Sequence, residues 1–152
     1  NSQLVICCMD EPNVDETGKI VAEHCIKEKI NHIVSGGYSY HLGLIGLSTI
    51  PFETACIGCL HATYEENTKI KGEFLPSNYM KGGTLTSISI TVANLITVEA
   101  IKLITGFAPP QLANCQTELN FITNEIKKLE VSRHHECQIC GQPVPVVGKG
   151  KV

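Results

Sequence analysis

The sequence contains no tryptophan, and aromatic residues make up only 5% of its 152 residues. Proteins that bind single-stranded nucleic acid commonly stack bases on aromatic side chains, so this mode of binding is not expected here. The formal net charge of −3 also provides no excess of positive charge to attract a phosphate backbone. The composition therefore argues against a nucleic-acid partner.

No export signal is visible, because the chain opens with the letters NSQL and has no positively charged segment before its first apolar run. The stretch from Thr84 to Thr105 is apolar enough to suggest a transmembrane helix, but it contains Glu99 and Lys102. Charged side chains are costly inside a bilayer. We interpret this stretch as a buried helix of a cytoplasmic protein and expect no membrane partner.

A strand, a helix and a second strand are predicted at the start of the chain. The apolar run Leu4–Met9 stops abruptly at Asp10, which is typical of a buried strand. Apolar and charged residues then recur with helical spacing from Ile20 to Lys29, and Asn31–Ser35 is a second apolar run. These three elements predict a βαβ unit.

The remainder of the chain is predicted to add mixed or antiparallel strands and one long helix to this α/β unit. The expected segments are a strand at Gly43–Ile50, a polar, aperiodic loop from His61 to Gly83, a buried helix at Thr84–Thr105 that ends at Gly106, and a hairpin formed by Cys115–Ile122 and Glu125–Val131. We expect one domain over residues 1–141 and a flexible tail over residues 142–152.

Eight cysteines occur, and four of them form two Cys-x-x-Cys pairs, Cys56 with Cys59 and Cys137 with Cys140. Two such pairs supply the four thiolates that a tetrahedral zinc ion favours, and a site closed by four sulfurs is structural. One alternative is four reduced, buried cysteines. A redox dithiol is the other, but it would be expected at the start of a helix that follows a strand, and neither pair is predicted to lie there.

The other four cysteines have apolar neighbours and are interpreted as small core residues, namely Cys7, Cys8, Cys25 and Cys115. Three histidines close to the Cys-x-x-Cys pairs, His61, His134 and His135, could in principle replace a thiolate. Because four thiolates already complete the coordination shell, we expect the histidines to face solvent.

Asp10 follows the first predicted strand, and Asn13 lies three residues later. In open α/β sheets, ligands bind beyond the carboxyl ends of the strands, and a carboxylate there can hold Mg²⁺ against nucleotide phosphates. Asp and Asn are also ordinary turn residues, so a purely structural role is an equal alternative.

The order of these features resembles the C-terminal half of the ThiF/MoeB/HesA superfamily of ubiquitin-activating-like adenylyltransferases. The segments that carry the resemblance are Leu4–Asn13, Ile33–Gly36, Pro51–Cys59, Asn94–Gly106 and Cys137–Gly141. The resemblance implies the C-terminal part of a Rossmann-like domain with a structural four-cysteine zinc site.

The same resemblance implies an activity. Members bind ATP and Mg²⁺ and adenylate a C-terminal carboxylate, usually of a small ubiquitin-like sulfur carrier protein or a peptide, as in thiamine or molybdopterin biosynthesis. Asp10 would be the catalytic, Mg²⁺-associated carboxylate, Asn13 would contribute to cofactor binding, residues 60–83 would form the crossover loop, and the protein would be a homodimer.

Three departures from the family limit this expectation. Neither G-x-G-x-x-G nor G-x-x-x-x-G-K-[ST] occurs, so we expect the chain alone to be inactive and to be part of a longer parent enzyme. The family's arginine after the strand-end aspartate has no clear counterpart, and Lys19 is the nearest cation. No cysteine occurs between Cys59 and Cys115, so a thioester or persulfide on the crossover loop is not expected.

Another class of function remains open, a noncatalytic, zinc-stapled module that binds a partner or dimerises. Both interpretations predict zinc. They differ in whether a glycine-rich βαβ unit precedes this segment in the parent protein.

Overall fold

The computed structural model describes residues 2–71 and 85–141. Its elements are, in chain order, β1 (Leu4–Cys7), α1 (Val14–Glu28), β2 (Asn31–Val34), β3 (Gly37–Ser39), β4 (Leu42–Ile45), β5 (Leu47–Thr49), α2 (Ile57–Lys71), α3 (Thr86–Thr105), β6 (Cys115–Asn120) and β7 (Glu125–Glu130). The predicted tail over residues 142–152 lies outside the described residues.

The first sheet contains the predicted βαβ unit. β1 and β2 are parallel, with Leu4 opposite Asn31 and Cys7 opposite Val34. The short strand β5 pairs with the other edge of β2 in the antiparallel direction, which gives the order β1-β2-β5. The α1 crossover packs on β2, so the prediction of a βαβ unit is confirmed.

The second sheet is entirely antiparallel, with the order β3-β4-β6-β7. The predicted single strand Gly43–Ile50 is wrong, because this segment forms β4 in the second sheet and β5 in the first. The change of sheet occurs at Gly46, where any Cβ would overlap the backbone carbonyl of Val34. A glycine is needed for that close approach.

Helix α1 begins at Val14, six residues before the predicted start at Ile20. Asn13 is its N-cap, and the Asn13 Oδ1 accepts a hydrogen bond from the backbone N–H of Glu16 at 2.9 Å. The helix ends at Lys29, which adopts a left-handed conformation. The capping side chain, and not the apolar spacing, determines where this helix starts.

Helix α2 corrects the prediction of a loop from His61 to Gly83, because residues 61–71 are helical. Its buried positions, Ile57, Cys59 and Leu60, lie at the start of the helix, and Tyr64 packs against the same core. The following residues are polar, so the sequence lacks the apolar repeat that predicts a helix. Residues 72–83 of the predicted crossover loop lie outside the described residues.

Helix α3 has the predicted length and ends at Gly106, whose φ of 66° provides the left-handed cap. The prediction that it is a buried helix is wrong for most of its residues. It buries one face, formed by Ile88, Val92, Ile96, Glu99 and Ala100, and exposes large apolar side chains elsewhere. By length and composition alone it could cross a membrane, and 28% of its most apolar window is buried in this fold.

Two apolar cores hold the layers together. One contains residues of α1, α2, β2 and β5 together with the cysteines of the two Cys-x-x-Cys pairs. Its members include Ala22, Ile26, Val34, Leu47 and Leu60. The other lies between α3 and the sheets and includes Ile33, Ile45, Val92, Ile96 and Leu112. The first core places the cysteine pairs close to α1, and in the second no other described element covers the outer face of α3.

Candidate functional site

The two Cys-x-x-Cys pairs form one cluster, as the sequence predicts. The Sγ atoms of Cys56 and Cys137 lie 3.6 Å apart, those of Cys59 and Cys140 lie 3.4 Å apart, and those of Cys56 and Cys59 lie 4.0 Å apart. All four sulfurs lie within 4.8 Å of one another. In a tetrahedral site with Zn–S bonds of about 2.3 Å, the sulfurs would be separated by about 3.8 Å. The cluster therefore has the dimensions and the donor chemistry of a four-thiolate zinc site.

Hydrogen bonding within the cluster shifts the pKa values of its thiols in opposite directions. Hydrogen bonds from Cys140 and Cys56, together with the backbone N–H of His134, lower the pKa of the Cys59 thiol. Hydrogen bonds to Cys140 and Cys59 and burial raise the pKa of the Cys56 thiol, because they favour its protonated form. A metal ion would replace the protons shared between these sulfurs, since thiolates are the ligands.

The first pair lies at the start of α2, with Cys56 directly before the helix and Cys59 in its first turn. The prediction that neither pair opens a helix after a strand is therefore wrong, because α2 follows β5 and a turn. A Cβ at Gly58 would lie 3.0 Å from the Cys137 Sγ, so a glycine at this position leaves room for the second pair to approach the first. Four converging sulfurs favour a metal centre over an isolated redox dithiol.

The second pair lies on a tight turn after β7. The backbone N–H of Cys137 donates to the His134 carbonyl at 3.2 Å, and the N–H of Gly141 donates to the Cys137 carbonyl at 2.7 Å. The N–H of His134 donates to the Cys59 Sγ at 3.4 Å, and Arg133 donates through Nη2 to the Cys140 carbonyl at 2.6 Å. Such outer hydrogen bonds orient and stabilise metal ligands. The cluster thus connects α2 to a turn that is 81 residues away in sequence.

The three histidines are not part of the cluster among the described residues. His61 instead contacts α1, where its Nε2 lies 3.3 Å from the Asp15 Oδ1. This hydrogen bond, together with the charges of His61 and Lys19, lowers the pKa of Asp15 despite partial burial. The prediction of solvent-facing histidines missed this link between α2, which carries the first cysteine pair, and the start of α1.

Asp10 lies where the sequence predicts, in an exposed loop just beyond the carboxyl end of β1 and before the first turn of α1. No described residue makes a hydrogen bond or an ion pair with its carboxylate. Glu11, Asp15 and Glu16 follow within the same short stretch, so the start of α1 is rich in carboxylates. Carboxylate oxygens are the ligands that Mg²⁺ prefers, and the assignment of Asp10 as such a ligand remains a prediction.

The structure gives Asn13 a capping role that the sequence analysis did not foresee. Its role in cofactor binding remains a prediction. Thr17 was also missed: it is buried in α1, and its Oγ1 lies 2.9 Å from the carbonyl of Met9, in the loop that contains Asp10. No sequence motif indicated this contact, because Thr17 and Met9 come together only when the loop folds back onto the helix.

The four cysteines outside the cluster differ in how far they are buried. Cys7 and Cys25 are buried, as predicted for core residues. Cys8 is exposed, which contradicts the prediction, because β1 ends at Cys7 and the chain leaves the sheet there. Cys115 is partly buried at the start of β6.

Comparison with known proteins gives consistent results. The sequence model of the ThiF family matches residues 1–139 of this chain. The chain is 34% identical over 97 residues to the protein HesA, heterocyst, of Trichormus variabilis. This aligned segment covers 63% of this chain and 32% of that protein. It is also 35% identical to HesA of Nostoc sp. over a segment of 98 residues, and this segment covers 63% of this chain and 34% of that protein. The chain therefore spans about a third of these curated relatives.

Solved structures share the fold. Escherichia coli MccB with ATP superimposes with a TM-score of 0.68 at 21% identity, over 91% of this chain and 39% of that one. The microcin C7 biosynthetic enzyme MccB in complex with N-formylated MccA gives a TM-score of 0.69 at 20% identity, over 91% and 41%. A heterocyclase in complex with substrate and cofactor gives a TM-score of 0.65 at 15% identity, over 92% of this chain and 21% of that one. At these identities the similarity establishes the fold alone.

Proposed function

The chain belongs to the ThiF family, and from this premise we propose that it is part of an ATP- and Mg²⁺-dependent enzyme that adenylates a carboxylate. The substrate group is the C-terminal carboxylate of a small ubiquitin-like sulfur carrier protein or of a peptide. The chain contributes the strand-end carboxylate Asp10 and a structural metal centre. Because it spans only part of its relatives and lacks a glycine-rich phosphate loop, other parts of the parent protein must complete the nucleotide site.

The observation that carries the proposal is the position of Asp10. Its carboxylate is exposed, has no described partner, and lies beyond the carboxyl end of a strand that is parallel to its neighbour. This is where open α/β sheets bind ligands. A structural turn residue would be expected to bond to its own loop, as Asn13 does at the helix cap.

The chemistry fits such a site. A carboxylate is a poor electrophile, and its attack on the α-phosphate of ATP forms an acyl-adenylate and releases pyrophosphate. Two anions must be brought together for this step, so the enzyme has to position them and offset their repulsion. When bound, Mg²⁺ would supply that charge neutralisation. Asp10 would hold the ion on the side of β1 and α1.

The peptide alternative is supported by MccB, whose solved structures include a complex with N-formylated MccA. The sulfur-carrier alternative is supported by family membership alone. In either case we propose adenylation without a thioester or persulfide on the crossover segment, because no cysteine occurs between Cys59 and Cys115.

The metal centre is proposed to be a structural zinc site held by Cys56, Cys59, Cys137 and Cys140. Four protein sulfurs complete a tetrahedral shell, so no position is left for substrate, and no step of the reaction is assigned to this ion. Its role is to hold the start of α2 against the turn after β7.

We also propose that the parent enzyme is a cytoplasmic homodimer in which the outer face of α3 contributes to the contact. Ile90, Val98, Ile101 and Ile104 are exposed on the side of α3 opposite its buried face. A row of exposed apolar side chains on a soluble domain indicates an interaction surface. The adenylation reaction itself requires ATP, which is consistent with a cytoplasmic location.

The test is ATP–pyrophosphate exchange by the full-length parent, with a panel of C-terminal peptides and sulfur-carrier proteins as acceptors. We expect exchange that depends on one class of acceptor, and we expect Asp10→Asn to lower kcat/KM by about 100-fold or more, as for loss of a charged group in the transition state. Glu11→Gln, a change of the neighbouring exposed carboxylate, is the matched control and should retain activity. If no acceptor supports exchange in a folded, metal-loaded parent, the noncatalytic zinc-stapled module becomes the better interpretation.

A further inference from the structure

Among the described residues, one side chain outside the loop that contains Asp10 makes a hydrogen bond to it. Within residues 8–12, the Met9 carbonyl accepts a hydrogen bond from the Thr17 Oγ1 at 2.9 Å, and no other described residue makes a hydrogen bond to this segment. The flanking attachments lie outside it, where Cys7 accepts from the N–H of Ser35 and Asn13 caps α1. Five exposed residues therefore receive a single hydrogen bond from the rest of the described fold.

The bond from Thr17 acts directly on Asp10. The Met9 carbonyl belongs to the peptide group that joins Met9 to Asp10, so fixing its oxygen fixes the plane from which the Asp10 side chain departs. The single proton of the Thr17 hydroxyl is shared among three carbonyls, because Oγ1 also lies 2.9 Å from the Asn13 carbonyl and 3.2 Å from the Val14 carbonyl. Those two contacts are local to the helix, whereas the contact with Met9 spans eight residues and leaves the helix.

Thr17 is itself held firmly. It is only 5% exposed, and the next residue, Gly18, brings α1 close to β2, since a Cβ there would lie 2.7 Å from the Cγ1 of Val34. The hydroxyl is thus presented from a part of α1 that is packed on the central strand of its sheet. A buried donor on one side, and on the other a loop with no second hydrogen bond to the described residues, are the features of a positioning contact.

We propose that Thr17 is a positioning residue for Asp10, and that its hydroxyl holds the loop where the Asp10 carboxylate can bind the Mg²⁺ that accompanies the nucleotide. This inference rests on the proposed function for its chemical meaning, but the structural link between Thr17 and the loop can be tested separately. Thr17 does not contact substrate or metal in this account. It acts through the Met9–Asp10 peptide.

The variants that test the proposal differ in one atom or group. Thr17→Val keeps the branched shape and removes the hydroxyl, whereas Thr17→Ser keeps the hydroxyl and removes the methyl group. If the buried volume alone matters, the serine variant should show the larger effect. If the hydroxyl positions the loop, the valine variant should show it, and the serine variant should resemble the wild type.

The first measurement is the mobility of the loop in the 152-residue chain, from ¹⁵N relaxation. In Thr17→Val, the order parameters of Asp10 and Glu11 should fall from values typical of a rigid backbone, about 0.85, toward those of a flexible one, below about 0.6. The amide of Gly141, at the cysteine cluster, is the internal reference and should not change. Equal order parameters at Asp10 in the wild type and in Thr17→Val would overturn the proposal.

The second measurement uses the full-length parent and ATP–pyrophosphate exchange at varied Mg²⁺ concentration. Thr17→Val should raise the Mg²⁺ concentration for half-maximal exchange by about tenfold, with a smaller effect on kcat at saturating Mg²⁺, and Thr17→Ser should restore the wild-type value. A lower kcat with unchanged Mg²⁺ dependence would overturn the proposal. If the wild-type parent shows no exchange, the proposed function fails, and the relaxation data still decide whether Thr17 fixes the loop.

Discussion

The backbone N–H of Leu112 donates a short hydrogen bond of 2.7 Å to the Oε1 of Glu99, a carboxylate that is only 2% exposed. The same carboxylate accepts from the N–H of Gln111 and from the Oγ of Ser48, both at 3.0 Å, and its Oε2 lies 3.4 Å from the Nζ of Lys102. A buried carboxylate is tolerated when its oxygens are satisfied in this way. Glu99 therefore joins α3 to β5 and to the segment before β6.

The first prediction concerns this carboxylate. Glu99→Gln should lower the free energy of unfolding by about 2–4 kcal/mol, because the amide NH₂ would face N–H donors and leave them without an acceptor. Lys102→Met, which removes only the ammonium partner, should cost about 1 kcal/mol or less. Urea unfolding monitored by circular dichroism measures both. Equal unfolding midpoints for the two variants would show that the hydrogen bonds to the backbone contribute little.

The second prediction concerns the metal centre. Cys59→Ser and Cys140→Ser should each abolish stoichiometric zinc, because each removes one of four converging thiolates. Cys8→Ser, at an exposed cysteine outside the cluster, is the control and should keep one zinc per chain. Elemental analysis and native mass spectrometry give the metal content. Chelation should also lower the thermal stability of the wild type, since binding free energy contributes to folding.

An unmetallated wild-type chain that remains folded and insensitive to chelators would contradict the zinc assignment. Oxidation of the four thiols to two disulfides under mild conditions would instead favour the redox dithiol that the sequence analysis left open. The position of the first pair at the start of α2 makes that control necessary, because a helix N-terminus stabilises a reactive thiolate.

The sequence contains the signals for features that depend on neighbouring residues. Gly106 marks the end of α3, and Thr123-Asn124 marks the turn between β6 and β7, where Asn124 adopts a φ of 59°. The start of α1 was predictable as well, since Asn13 followed three residues later by Glu16 resembles a capping box. The prediction at Ile20 relied on apolar spacing and overlooked that signal.

Features that depend on distant residues could not be predicted in the same way. The change of sheet at Gly46 is required by the carbonyl of Val34, which lies in another strand. The apolar composition of α3 cannot distinguish a helix buried on all sides from one with an uncovered face. The four-cysteine cluster is an exception among long-range contacts, because two Cys-x-x-Cys pairs in one chain are expected to share a metal ion however far apart they lie in sequence.

The third prediction concerns pH. His32 is fully buried on β2, its Nδ1 donates to the Ile30 carbonyl at 3.2 Å, and its Nε2 has no hydrogen-bond partner among the described residues. Burial lowers the pKa of His32 from its ordinary 6.5, since the imidazolium would be desolvated. Above pH 6.5 the ring is neutral in both states. Below it, the unfolded chain binds a proton that the folded chain excludes, so stability should fall with pH by up to about 1.4 kcal/mol per unit.

The check is the urea unfolding free energy of the metal-loaded chain between pH 7.5 and pH 5.5. His32→Leu removes the titrating ring while keeping a buried side chain. The slope of its unfolding free energy against pH should therefore be smaller than that of the wild type, by the equivalent of nearly one bound proton. His24→Leu, at an exposed histidine on α1, is the matched control and should keep the wild-type slope. If His32→Leu and the wild type have the same slope, the buried ring does not govern the acid sensitivity.

The fourth prediction concerns the outer face of α3, which we propose forms part of a homodimer contact. Ile101 is 47% exposed on this face, where a charge would not disturb the buried core. Ile101→Glu should dissociate the dimer of the parent enzyme into folded monomers that still unfold cooperatively, because an unpaired charge is costly in a desolvated interface but not at an exposed position. Ile20→Glu, at a similarly exposed isoleucine on α1, is the matched control and should remain dimeric. Light scattering and native mass spectrometry measure the mass, and a monomeric wild type would remove the basis for assigning this face to a second copy.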